Sequence, residues 1–263
     1  MRLVTVVFFV FNILCAHSQD GQYNFGARSA GIGQASSTLM DGWSLFNNIG
    51  SLGLIENSSS FIGYQNRYNI GELQSIAGGI TYAHDWATIG IGVFRFGGDL
   101  FNEQKIKLAI GHKLDMISLG VGINVVQYTI EGLETKRRLA IEFGGTVNLT
   151  ENLLLAAHIY NFQKSALIPT VMKAGLSYRP IKGLMINIET EKDIDLDQVF
   201  RAGVEYQIIA TIYLRTGLQT SPVRSSYGIG YVLKSFNLDY AFVDNTDLSS
   251  IHEISITYQF KAK

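Results

Sequence analysis

From about residue 58 to its end, the chain alternates apolar and polar side chains with a period of two, and this restricts the fold more than any other feature. KIKLAIGHKL (105–114) sets Ile106, Leu108 and Ile110 against Lys105, Lys107, Ala109 and Gly111. RRLAIEFGGTVNL (137–149) sets Leu139, Ile141, Phe143 and Val147 against Arg138, Glu142, Thr146 and Asn148. FRAGVEYQI and HEISITYQF divide in the same way. Strict alternation is the signature of a strand with two unlike faces. Fourteen segments carry it: 58–68, 73–83, 87–97, 103–113, 116–129, 136–148, 152–162, 170–179, 183–191, 198–208, 210–219, 225–234, 235–244 and 250–260. Most are close to the ~9–11 residues that a tilted strand needs to cross a bilayer.

A soluble β protein and a transmembrane barrel share this pattern, and three features favour the barrel. The polar face carries charges deep within strands, among them Lys107, Glu142, Lys173, Glu189, Arg201, Glu205, Arg215 and Asp239. A membrane barrel turns such groups into its lumen and presents Leu, Ile, Val and Phe to lipid. The connections alternate between tight turns (LD, TEN, PIKG, LKS) and generally longer loops (EGLETK, QKSALIPT, EKDIDLD, VDNTDLSS), which suits a periplasmic and an outer end. Aromatics gather toward strand ends, where a membrane interface would hold them: Tyr82, Phe96, Tyr160, Phe162, Tyr178, Tyr206, Phe236, Phe242, Tyr258 and Phe260. Lipid cannot satisfy an open sheet edge, so the strands must close. The expected fold is all-β, a transmembrane antiparallel barrel of about 14 strands over residues 58–263.

The chain opens MRLVTVVFFVFNILCAHSQ. A basic start, an apolar run to Cys15 and the small-x-small triplet Ala16-His17-Ser18 predict a cleaved signal peptide over residues 1–18 and export to a bacterial outer membrane. The apolar run is short for a membrane anchor. A lipidated Cys15 is the other alternative, against which Leu14 stands where a small residue belongs. Cys15 is the one cysteine, so the mature protein has no disulfide to rest on. A formal net charge of −1 gives no electrostatic case for nucleic acid. Gly (27) is abundant and Pro (3) scarce, as a β-rich exported chain would have it.

Little points to chemistry. His84, His112, His158 and His252 are scattered and expected near strand ends, without metal-ligand spacing or a neighbouring nucleophile motif. EKDIDLD (191–197) lacks the spacing of a Ca²⁺ loop, and RSAGIGQ lacks the ending of a phosphate loop. No catalytic residue, metal site or cofactor is expected. The predicted lumen-facing charges are Lys107, Arg138, Glu142, Lys173, Glu189, Arg201, Glu205 and Arg215, with Lys105, Lys113, Glu191, Asp239 and Glu253 behind them. An anion-selective pore would show one sign along its path. The mixed set fits either a charged conduit or a lumen closed by ion pairs.

GARSAGIGQASSTLMDGWSLFNNIGSLG (26–53) alternates with neither strand nor helix period and precedes the first strand. It resembles the N-terminal segment of FadL-like outer-membrane barrels, most closely the PorV/PorQ-like family of Bacteroidetes. Gly26, Ala27, Arg28, Gly31, Gly33, Ala35, Asp41, Asn48 and Leu52 carry the match, although Gln34 breaks a Gly pair and no Pro follows Asn48. HEISITYQF resembles the final strand of that group. The resemblance implies that residues 19–57 form a hatch or plug with Gly26, Arg28, Gly31, Gly33, Asp41, Asn48 and Leu52 as its motif. Arg28 would then pair with a luminal carboxylate, Glu142, Glu189 or Glu205, or stay solvated at the rim. It also implies a non-enzymatic accessory of type IX secretion that meets outer-membrane lipid and docks a secretion translocon or secreted cargo protein. The alternative is a FadL-like passive transporter whose partner is a hydrophobic small molecule. Short outer loops count against a high-affinity lipid site.

Overall fold

The computed structural model describes residues 24–245 and 249–260, so the expected signal peptide lies outside the described residues. Fourteen strands follow one another: β1 Ser59–Arg67, β2 Gln74–Ala83, β3 Thr88–Gly97, β4 Phe101–Leu114, β5 Ile117–Ile130, β6 Lys136–Thr150 and β7 Leu153–Tyr160. Then come β8 Val171–Tyr178, β9 Leu184–Asp193, β10 Val199–Ile209, β11 Ile212–Gln219, β12 Arg224–Leu233, β13 Phe236–Asn245 and β14 Ile251–Gln259. Each pairs antiparallel with its sequence neighbours, and β1 pairs with β14 from Ser59↔Gln259 to Arg67↔Ile251, so the sheet closes on itself. Closure satisfies every strand edge from within, which is what lipid demands.

The alternation in the sequence becomes an inside and an outside. In β3, Ile89, Ile91 and Val93 face out while Gly90, Gly92 and Phe94 are buried inward. In β10, Phe200 points out while Arg201, Gly203 and Glu205 point in. Isoleucines, leucines and valines thus cover the exterior while charged residues lie buried within, an arrangement that is stable only with lipid around the wall. Tyr82, Trp86, Tyr206, Phe236 and Tyr258 stand outward near the short-turn end, with Phe236 and Tyr258 packed at 4.8 Å. Two aromatics expected at an interface instead turn inward. Tyr160 is buried in a luminal cluster with Val126, Ala140 and Val171, and Phe96 packs against the interior core. Each stands two residues along its strand from an inward-facing residue, and the pleat carries it to the same side.

The chain before β1 lies inside this wall. It contains helices α1 (Ala27–Gly31) and α2 (Ser44–Asn47) and a 3₁₀ stretch, Ile49–Leu54. Its contacts run to strands on all sides of the barrel, including β4, β5, β6, β12, β13 and β14, and only the lumen offers such a position. Irregular backbone at membrane depth is tolerable there because protein encloses it.

Candidate functional site: the luminal segment

Each residue singled out in the segment has a definite contact. Gly26 caps α1 at φ +106°, donates its N–H to Glu253 Oε1 at 2.6 Å and lies so close to Trp43 that an added Cβ would meet the indole at 2.9 Å. Gly33 has φ +65° and lies against β11, where a Cβ added to Gly217 would fall 2.2 Å from the Gly33 nitrogen. Gly31 meets Gly228 of β12 in the same backbone-to-backbone way. Asn48 donates Nδ2 to Ser37 O at 2.8 Å and accepts Gly50 N–H at 2.9 Å, tying two turns of the segment together. Leu52 is fully buried and lies against Gly111 of β4.

Arg28 and Asp41 belong to an ionic chain that joins segment to wall. Arg28 donates Nε and Nη2 to the two oxygens of Glu205, at 2.8 and 2.6 Å, and Nη1 to Asp41 at 3.0 Å. Asp41 also accepts the Trp43 N–H. Arg215 donates Nε to Glu205 Oε2 at 2.6 Å and Nη1 to Asp239 at 2.7 Å. Burial works against the Arg28 charge, but Glu205 and Asp41 outweigh it and hold the guanidinium pKa above its ordinary value. Of the three carboxylates open to Arg28, Glu205 is therefore the one it meets. The fork of a guanidinium on a carboxylate adds orientation as well as charge.

The other two carboxylates have work elsewhere. Glu189 accepts the Ser37 N–H at 2.7 Å and faces Arg201 Nη1 at 3.2 Å, while Arg201 also holds Glu191 through both terminal nitrogens. Glu142 lies 2.7 Å from Lys107 Nζ and 2.8 Å from His158 Nε2, and it accepts Asn124 Nδ2 at 2.8 Å. Lys173 donates to Asn24 Oδ1 and, at 3.4 Å, to Asn47 O.

Not every charge of the inward register is buried. Arg138 shares the inward register of Glu142 but stands half-buried toward the end of β6, where Nη1 donates to the Arg137 carbonyl rather than to a luminal carboxylate. Lys113 is likewise exposed near the end of β4. A strand's last turn outruns the packed lumen, so register alone does not bury a charge there. His158, expected near a strand end, points into the lumen and is buried against Glu142. Its parity with Ala156 and Tyr160 was the available signal. Sequence reasoning missed the aromatic side of the site. Trp43, Phe25 and Phe46 of the segment pack in tilted and edge-to-face arrangements with Phe61 of β1 and Phe94 of β3, the nearest pair being Trp43 and Phe61 at 4.5 Å. Among the described residues no group of three His, Cys, Asp or Glu could hold a metal ion.

Outside the wall, a cavity of about 680 Å³ opens on the lipid face of β7 to β11. Leu155, Leu176, Ile188, Phe200 and Leu218 line it, along with Gly175 and Glu189 of the inward register. Behind Gly175 stands the luminal segment itself, because a Cβ added there would fall 2.2 Å from Ser37 Oγ. One thickness of backbone separates the apolar hollow from Ser37.

No protein-family profile matches the sequence, and no curated protein sequence matches it. Solved structures do. The toluene transporter TbuX of Ralstonia pickettii superposes with a TM-score of 0.77 at 12% identity, over 92% of this chain and 100% of that one. A FadL homologue of Pseudomonas aeruginosa gives 0.71 at 11% identity, over 90% and 98% of the two chains. The toluene transporter TodX of Pseudomonas putida gives 0.69 at 12%, over 92% and 100%. The fold is therefore the closed fourteen-stranded barrel of FadL-type proteins. None of these three is described as a secretion component, and the PorV/PorQ-like, type IX expectation gains no support from them.

Proposed function

We propose that this chain is a non-enzymatic, passive transporter of hydrophobic small molecules in a bacterial outer membrane, with its tight turns toward the periplasm. Residues 24–55 act as its hatch. The observation that carries this reading is the apolar hollow on the lipid side of β8 to β10, backed across the wall by Ser37 of the segment. An apolar solute dissolved in the outer leaflet reaches that hollow without crossing water. The fold shared with two toluene transporters supports the same reading. The segment fills the lumen, and in this reading passage requires it to move.

The segment can be locked where it stands. Ser51 Oγ and Thr146 Oγ1 of β6 lie 2.9 Å apart, and cysteines at both positions would bring two sulfurs within bonding reach. Uptake of a radiolabelled monoaromatic hydrocarbon is measured in cells displaying the wild type, the double variant and each single variant. The expected result is wild-type uptake above the empty-vector rate, abolished in the oxidised double variant and restored by reductant. Wild-type uptake no faster than empty vector would refute the transport reading. Uptake that the oxidised lock leaves unchanged would refute the hatch.

A further inference from the structure

On the outside of the wall, the apolar surface of β3 to β6 stops at one cross-strand row. Val93, Ile106, Val125 and Leu139 are register partners in turn from β3 to β6, and all four are exposed on the lipid face. Two residues nearer the long-loop end, on the same face, the next row reads Arg95, Gln104, Gln127 and Arg137, again partners from strand to strand. The lipid-facing side chains change from aliphatic to polar within roughly 7 Å of strand, one repeat of the pleat. Such a step marks the level at which hydrocarbon gives way to headgroups.

Arg95 and Arg137 are the two arginines that the described strands carry in the lipid-facing register. Arg95 makes no hydrogen bond or ion pair among the described residues. Arg137 donates Nε to Gln127 Oε1 at 2.7 Å, which leans its guanidinium toward the middle of the row and leaves both terminal nitrogens unengaged. The same bond turns the Gln127 Nε2 donor away from Arg137, toward the Gln104 side. Glu72, Asp99, Glu131 and Glu134, in the neighbouring loops, form no ion pair with either arginine among the described residues. On β9, Lys192 also falls in the lipid-facing register, but its Nζ is taken by the Leu196 carbonyl. The cationic donors left open at this level are thus gathered on one side, over β3 to β6.

We infer that this row binds the phosphate of an outer-leaflet lipid, with Arg137 and Gln127 on the phosphate oxygens and Arg95 closing from the other end. A guanidinium matches phosphate oxygens with paired, planar N–H donors. Three strand spacings put the two arginine backbones about 14 Å apart, so their side chains reach toward each other across the glutamines. The acyl chains of the same molecule lie on Val93, Ile106, Val125 and Leu139, directly beneath the phosphate. Inorganic phosphate would satisfy the charge and leave that aliphatic row unused. The inference takes from the proposed function only the orientation of the barrel, tight turns toward the periplasm, and holds whether or not the lumen conducts.

Equilibrium binding to the purified full-length protein in a non-ionic detergent tests this. Diphosphoryl lipid A is titrated by thermophoresis against two comparisons, the same lipid A stripped of its phosphates and inorganic phosphate alone. The expected result is saturable binding of diphosphoryl lipid A, with both comparisons weaker by about tenfold or more, as loss of the charge-assisted hydrogen bonds or of the apolar contact implies. Arg95→Gln joined to Arg137→Gln is expected to weaken lipid A binding by a similar factor while leaving the barrel's heat-resistant gel mobility unchanged, with the corresponding pair of lysines in between. Lys192→Gln, on β9, is the control and is expected to change binding by less than about twofold. Absence of lipid A binding overturns the inference, as does binding that the double glutamine variant does not weaken. Stripped lipid that binds as tightly would assign the contact to the aliphatic wall alone, and inorganic phosphate that binds as tightly would assign it to a free anion; either result overturns the inference too.

Discussion

The two sides of the lumen hold the same segment by different physics. Toward β1 to β5 the contact is apolar and aromatic, with Phe25, Trp43, Leu45, Phe46, Ile49 and Leu52 packed on Phe61, Ala77, Phe94 and Ala109. Toward β8 to β13 the apolar clusters are small, Ala27 and Ala30 on Ala241 and Val243, and Ile32 and Leu39 on Met185, and the contact is chiefly ionic and hydrogen-bonded: Arg28 on Glu205, Ser37 on Glu189, and Asn187 Nδ2 on the Ala35 carbonyl at 2.8 Å. Apolar packing is non-directional and strengthens with every contact made. Buried ion pairs contribute little net stability but strongly penalise any arrangement that leaves one partner alone. The aromatic side therefore supplies the adhesion, and the ionic side specifies the position. The two are complementary, since a segment held only by packing could slide, and one held only by charges would gain little from staying.

The largest effect is expected where backbone meets backbone. Gly217→Val would force a Cβ to within 2.2 Å of the Gly33 nitrogen, a clash no side-chain rotation relieves. We expect a cost above the about 1–3 kcal/mol of ordinary overpacking, seen as protease cleavage within residues 24–55 of an otherwise folded barrel. Persistent protection there would mean that the ionic side tolerates displacement. Next comes Trp43→Ala, which removes the centre of the aromatic side at an expected cost of about 3–5 kcal/mol in the segment's docking. Hydrogen exchange of the segment reports it, and exchange as slow as in the wild type would take the adhesive role from that side. Glu205→Gln is expected to cost about 3 kcal/mol by leaving the Arg28 and Arg215 charges short of their shared carboxylate. Its distinguishing sign is coupling: Arg28→Met is expected to cost less in the Glu205→Gln background than in the wild type, because the pair it breaks is already gone. The smallest effect is Arg138→Gln, at the half-buried end of β6, expected to stay within about 0.5 kcal/mol by chemical denaturation. A large loss there would show that the outer end of the lumen is more tightly built than its contacts indicate.

Much of the barrel was legible in the sequence because a pleated strand has only two faces, and one of them must meet lipid. The segment expected at 58–68 folds as Ser59–Arg67, and the last, expected at 250–260, as Ile251–Gln259. No strand end departs by more than two residues, as at β4, which begins at Phe101 rather than 103, where FNEQ carries no alternation to read, and at β11, which begins at Ile212 rather than 210. Parity assigns each charge to the enclosed register but not its depth, and Arg138, at the end of β6, is only half-buried. Within the luminal segment the glycines could be read as places of close approach, but not what they approach. Trp43 and Phe46 look like any two aromatics in a short helical stretch, and nothing in their spacing announces Phe61 and Phe94.

What the sequence determined by itself was the division of residues between a lipid face and an enclosed face, since period-two alternation and the impossibility of an open edge in lipid leave a closed barrel as the solution. It also determined that the enclosed face would carry both signs of charge. Which charges meet was decided only by the tertiary structure. Arg28 and Glu205 are 177 positions apart, and three carboxylates were open to Arg28 until closure of the barrel set their distances. Pairing in an enclosed lumen depends on distance and burial, and both are properties of the closed fold.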